Sequence, residues 1–260
     1  VESRLSTAGV ETVKLSIQFN GEAPPDRFRL VRPAVPVDPP LTAVRDTGAA
    51  EIMNSAHRQT MEDAHVDMDG FGGVPGRGFY AVFDGHGGRQ TVDYVEKHMH
   101  TNLEQLLAAG TAPKEALAAA FCQTDKEMLA AVDTENSGAT GVAVLLNAEA
   151  DGSRTLDAAN AGDSRAILTR PGPSPFMPVT AERLTFDHKP SNADEKARVE
   201  AAGGFVFRNR VMGVLAVSRA FGDKEMKELV VADPYTYSTR LDAAHVGSSF
   251  LIVACDGVFD

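Results

Sequence analysis

The stretch Phe83-Asp84-Gly85-His86-Gly87-Gly88 ends the apolar run GFYAV with a carboxylate, a histidine and three glycines. Two other apolar runs end the same way. FLIVAC passes into Asp256-Gly257, and LDAANA passes into Gly162-Asp163-Ser164-Arg165. Upstream, HRQTMEDAH sets Glu62 beside Asp63, with Arg58 shortly before them. Each residue has an ordinary reading. Asp and Gly make turns, Glu62 suits a surface, Arg58 suits an ion pair, and His86 suits a turn. Together they suggest more. Carboxylates brought side by side repel one another unless a cation compensates. Oxygen ligands select hard divalent ions, Mg²⁺ or Mn²⁺. Two such ions about 3.5–4 Å apart can activate a water and clamp a phosphoryl group. Arg58 could then grip phosphate oxygens with its planar fork, and His86 could hand a proton to a leaving alkoxide.

The elements around these residues must bring them together. GFYAVF and FLIVAC have the length of buried strands, and SGATGVAVLLNA with RTLDAANAG reads as a hairpin turning at Asp151-Gly152. In an extended stretch, Arg58, Thr60 and Glu62 would share one side. Three helices are expected. The first presents Val95, Met99, Leu103, Leu106 and Leu107 on one face and stops at Gly110; the second starts at Pro113 and presents Leu117, Phe121, Met128 and Val132. The third, SNADEKARVEAAGG, opens with Ser191 and Asp194 in capping-box spacing and closes on Gly203-Gly204. Prolines make Pro171–Pro178 a loop. Runs of strands and of helices, rather than strict alternation, indicate an α+β fold. Residues 1–50 are expected to form a strand, ETVKLSIQF, and a Pro-rich arm, with the globular body from residue 51 to 260.

Composition narrows the classes. A hydrophobic fraction of 43% with 23% charged residues suits a globular core, and a net charge of −11 argues against nucleic-acid binding. No apolar run reaches the ~20 residues of a membrane span. Cys122 and Cys255 make neither a zinc spacing nor a disulfide framework, so a reducing compartment, cytoplasmic or nuclear, is expected. A cysteine phosphatase needs Arg six positions after its thiolate, where Cys122 has Met128. DMDGF lacks both the strand and the last residue of an aspartyl-phosphate motif, and it lacks the later ligands of an EF-hand. The glycines of GGVPGRG do not make a phosphate loop.

The series RQTMEDAH, FYAVFDGHGG, SGATGVAVL, AANAGDSRAIL, LTFDHKP, ARVEAAGGFV, RVMGVLAVSRAFGD and FLIVACDGVFD, in this order from about Asn54 to Asp260, resembles the metal-dependent protein serine/threonine phosphatases of type 2C. The resemblance implies a four-layer α/β/β/α sandwich of two antiparallel sheets flanked by helices. It implies hydrolysis of phosphoserine and phosphothreonine by a water held between metal ions, without a phospho-enzyme. Arg58 would bind the phosphate, and Glu62 would reach one metal through water, with Asp63 behind the ligands. Asp84 would bridge two ions, Gly85 would lend its carbonyl, Asp256 would ligate the second ion, and His86 would be the general acid. Asp163 and Asp260 match positions tied to a weaker third ion. The family pattern continues past DGVFD to an Asp-Asn pair that supplies a further ligand, so the last part of the domain is expected to be missing here. Phe259 stands where Trp is common. The chain begins at Val1, which is the mark of a fragment or a processed protein. The expected partner is a phosphoprotein substrate, and the expected state is a monomer. The alternative is an inactive phosphatase-like domain that binds a phosphoprotein or a regulatory partner.

Overall fold

A computed structural model describes residues 43–53, 55, 59–172 and 179–260. The expected strand ETVKLSIQF, the Pro-rich arm, Arg58 and residues 173–178 of the expected loop lie outside the described residues. The chain divides into two compact units, Val1–Ala34 with Gly48–Glu51, and Val35–Thr47 with Ile52–Asp260. In the first, Gly48–Glu51 carry no regular secondary structure. The second holds every helix and strand among the described residues.

Its elements run β1 (Asp63–Asp69), β2 (Arg77–His86), α1 (Gln90–Ala108), α2 (Pro113–Ala131), β3 (Gly138–Ala148), β4 (Arg154–Ala161), β5 (Arg165–Arg170), β6 (Thr180–Arg183), α3 (Ala193–Ala201), β7 (Val206–Phe207), β8 (Arg210–Val211), β9 (Phe221–Gly222), β10 (Tyr235–Leu241) and β11 (Leu251–Ala254). The larger sheet has the order β1-β2-β3-β4-β10, with β9 also paired to β3; the smaller has the order β11-β5-β6. All of these pairings are antiparallel. The fold is α+β, a sandwich of two antiparallel sheets.

Alternation along the strands explains the layers. On β2, Phe79, Ala81 and Phe83 pack under the helices with Val92, Val95, Met99 and Leu103 of α1 and Leu117, Phe121 and Met128 of α2. Tyr80 and Val82, on the other face, meet Ala166 and Leu168 of β5 and Leu251 and Val253 of β11. Successive side chains point to opposite faces, so β2 feeds two cores at once. The helix faces read from sequence are therefore the buried ones. The end of α1 follows expectation too: Gly110 takes φ 86, and the Thr111 N–H reaches the Leu106 carbonyl at 3.1 Å. The β3–β4 hairpin turns at Asp151-Gly152, where the Asp151 carboxylate accepts the Ser153 N–H at 3.1 Å.

Two expectations are corrected. Ser191 does not cap α3. The N-cap is Asn192, whose side chain instead donates to the Asp187 carbonyl at 2.6 Å. The stretch before β1 is not a strand either: Gln59 and Thr60 bend, and the ladder begins at Asp63 opposite Asp84. α3 packs beside the β7–β8 hairpin around Val199, Val211, Ala220 and Val230. Among the described residues no helix is long and apolar enough to cross a membrane.

Candidate active site

The alternation that fills the two cores also places the site. Past Tyr80 and Val82, the next residues on the same face of β2 are Asp84 and His86. On β11, Leu251 and Val253 face inward and Cys255 follows them. On β4, Leu156 and Ala158 face inward and Asn160 follows, just before Gly162-Asp163. Apolar pairs hold the sheets together until the strands end, and carboxylates occupy the mouth beyond. Register sets their spacing. Asp63 and Asp84 are cross-strand partners, and the Cys255 thiol donates to Asp63 Oδ2 at 3.6 Å.

Each site residue is held locally. The Gly85 N–H donates to the Glu62 carbonyl at 3.1 Å, and a side chain on Gly85 would run into that carbonyl. Glu62 Oε1 accepts the Gly88 N–H at 2.9 Å and so straps the glycine turn to the start of β1. Gly87 and Gly88 hold φ of 69° and 121°, which favour glycine. Asp163 is 6% exposed; beside it, Ser164 Oγ and Thr140 Oγ1 lie 2.7 Å apart. Asp256 opens a short 3₁₀ turn after β11.

The electrostatics are those of crowded acids. Burial, then the charges of Asp63, Asp256 and Asp163, push Asp84 up to about 7. Burial, then Asp256, pushes Asp163 up to about 6. Among the described residues neither Asp84 nor Asp256 has a Lys or Arg at ion-pair distance. Asp260 differs: it lies 2.7 Å from Lys189 Nζ and 3.0 Å from Arg165 Nη2, and Lys189 also stands 3.7 Å from Asp163. These contacts hold the Asp260 carboxyl below its usual range. Both thiols are pushed up, Cys255 to about 12 by burial and then the Asp63 and Asp84 charges, and the more exposed Cys122 by partial desolvation and its contact with Asp233, which leaves them protonated and poor nucleophiles.

The family model described as protein phosphatase 2C matches residues 48–260. The chain belongs to the protein phosphatase 2C family. Protein phosphatase 2C homolog 1 of Saccharomyces cerevisiae is 39% identical over 245 residues, which is 89% of this chain and 82% of the relative. Its namesake in Schizosaccharomyces pombe is 38% identical, covering 82% of this chain and 60% of the relative. Human protein phosphatase 1F is 39% identical over 78% of this chain, which spans 44% of that protein. Among solved structures, a phosphatase from Toxoplasma gondii superposes with a TM-score of 0.65 at 28% identity, covering 78% of this chain and 74% of that one. A second structure from that organism, a serine-threonine phosphatase 2C, has a TM-score of 0.67 at 22% identity over 92% of this chain and 84% of its own, and shows the shared fold.

Metal dependence belongs to the family. The donor set here fits hard cations. It is all oxygen, and the pKa values of Asp84 and Asp163 are raised by burial first and then by neighbouring carboxylates, whose repulsion a cation would relieve. Among the described residues, no three of these side chains already converge on a single point as ligands.

The structure brings Glu62, Asp63, Asp84, Gly85, His86, Asp163 and Asp256 to one mouth, and it puts Asp260 on the Arg165–Lys189 side of it. One neighbour went unread in the sequence. His86 Nε2 lies 2.9 and 3.1 Å from the two oxygens of Asp223, in the SRAFGD segment. Burial alone would lower the His86 pKa, but the hydrogen bond and charge of Asp223, with Asp84 and Glu62, raise it. A contact spanning 137 residues leaves no local signal.

Proposed function

We propose that this chain hydrolyses phosphoserine and phosphothreonine esters in proteins with Mg²⁺ or Mn²⁺. Asp84 and Asp256 would hold the two principal ions, with help from the Gly85 carbonyl and Glu62. Asp163 and Asp260 would serve a weaker third ion, and Asp63 would stand behind Asp84. When bound, the ions supply water activation and neutralise the charge that builds on the phosphoryl oxygens. The chain's own groups do the rest. Arg58, four residues before Glu62 in the sequence, anchors the phosphate. A water oxygen forms the new bond to phosphorus as the ester P–O bond breaks. The electron pair leaves on the serine or threonine oxygen, which takes a proton from His86. A raised His86 pKa suits that role, because the ring carries the proton to be given.

What chiefly supports the reading is Asp84, which lies at a strand end of a protein phosphatase 2C fold, with its pKa raised by burial and by the charges of Asp63, Asp256 and Asp163. The test is phosphate release from a phosphoserine peptide. Turnover should appear with Mn²⁺, vanish on chelation, and survive thiol alkylation. Release that persists after exhaustive chelation would reject the proposal.

A further inference from the structure

Asp223 is 3% exposed, yet among the described residues the hydrogen bonds of its carboxylate go to one side chain, His86. Its charge also acts on Lys227, but that ammonium is bonded to Asp125 and the Ala220 carbonyl, and burying a carboxylate for one hydrogen-bonded imidazole is a poor way to gain stability. Its backbone, at φ 49° and ψ 49°, suits Asp, but Asn or Gly would take that conformation without the charge. The surroundings hold it firmly. β9 pairs with β3 beyond the end of β4, with Gly222 opposite Gly138, and the Asp223 N–H donates to the Ser137 carbonyl at 2.9 Å. The Gly222 N–H donates to Asp125 Oδ1 at 2.8 Å, and Lys227 pairs with the same Asp125. Between Asp223 and His86 lies Gly138, where a Cβ would collide with Asp223 Oδ2 and His86 Nε2. His86 Nδ1 has no hydrogen-bond partner among the described residues.

We propose that Asp223 is the positioning residue for His86, and that Gly138 is the gap through which the two meet. The inference rests on the reading of His86 as proton donor. With Nε2–H held by Asp223, Nδ1–H is the proton presented to the substrate. As the ester P–O bond breaks, its electron pair goes to the departing oxygen, which takes the Nδ1 proton. The ring is left neutral with Nε2–H still on Asp223, and it regains its proton from solvent.

A serine alkoxide needs that proton; p-nitrophenolate hardly does. The experiment compares kcat/KM for a phosphoserine peptide and for p-nitrophenyl phosphate, with Mn²⁺, in the full chain and in Asp223→Asn, His86→Gln, the double variant and Gly138→Ala. Asp223→Asn should slow the peptide by about 10- to 100-fold, the scale of a misplaced catalytic group, and the aryl ester much less. It should add nothing to His86→Gln. Gly138→Ala, which pushes the two side chains apart from the opposite side, should give the same split if Asp223→Asn proves unstable by thermal melting. A leaving-group split in His86→Gln without one in Asp223→Asn or Gly138→Ala would overturn the positioning role alone. Equal losses on both substrates in His86→Gln would overturn the general acid and this inference with it.

Discussion

At the scale of single residues, Asp84 carries the most informative charge. Its pKa is raised, so the folded state holds a proton more tightly than the unfolded chain between about pH 4 and 7. The stability this lends is full below the unfolded value and is lost as pH rises through about 7. Without metal, then, an ionised Asp84 destabilises the fold at neutral pH. Asp84→Asn should raise the melting temperature of the chelated protein at pH 7.5 and raise it far less at pH 4.5. A variant that melts below the parent at pH 7.5 would show that Asp84 is not strained. Asp84 was legible in the sequence because an apolar strand runs straight into it. Asp223 was not, because its meaning lies in His86, a distant residue that β9 and Gly138 bring within reach.

At the scale of elements, two joints hold the mouth in shape. The β1–β2 joint depends on Gly85, since any side chain there meets the Glu62 carbonyl. Gly85→Ala should cost about 1–3 kcal/mol by overpacking and weaken Mn²⁺ binding as well, because the backbone must shift beside Asp84. Urea unfolding and calorimetry would measure both; a variant with parental stability would remove Gly85 as a constraint. The second joint ties α3 to the SRAFGD segment. Glu195, 3% exposed, accepts from Arg219 Nη2 at 2.6 Å, from Ser218 at 2.7 Å and from Arg198 at 3.2 Å. Burial would raise its pKa, but these partners, Arg219 foremost, bring it down to about 2. A depressed carboxylate lends stability above its unfolded value and loses it as pH falls through about 2. Glu195→Ala should therefore destabilise by about 3–5 kcal/mol at pH 7, because it leaves two guanidinium groups half-buried and unpaired. A loss below about 1 kcal/mol in urea would mean that the guanidinium groups find water instead. Elements with strong local patterns were readable: α1 and α2 from helical spacing, and the β3–β4 hairpin from its Asp-Gly turn. The two-residue strands β7, β8 and β9 carry no period to read. The capping spacing at Ser191 misled because Asn192 stands one residue closer to the helix.

At the scale of the whole molecule, the two sheets supply a packed interface that ends abruptly in acids. The sandwich could be inferred from the ordered motifs, and the site could be placed at strand ends. Which carboxylates are already neutralised could not. Asp260 sits with Arg165 and Lys189, whereas Asp84 and Asp256 meet mainly other acids. That division comes from tertiary contacts between β5, the Lys189 turn and the segment after β11. A mouth of unpaired acids beside paired ones suits completion by hard divalent cations, as proposed above. Titration calorimetry of Mn²⁺ into the chain and into Asp84→Asn, each in two buffers of different ionisation enthalpy, tests it most directly. Binding should release protons at pH 6, release fewer at pH 8, and be lost in Asp84→Asn. Binding with no proton release at either pH, or binding unchanged in Asp84→Asn, would contradict it.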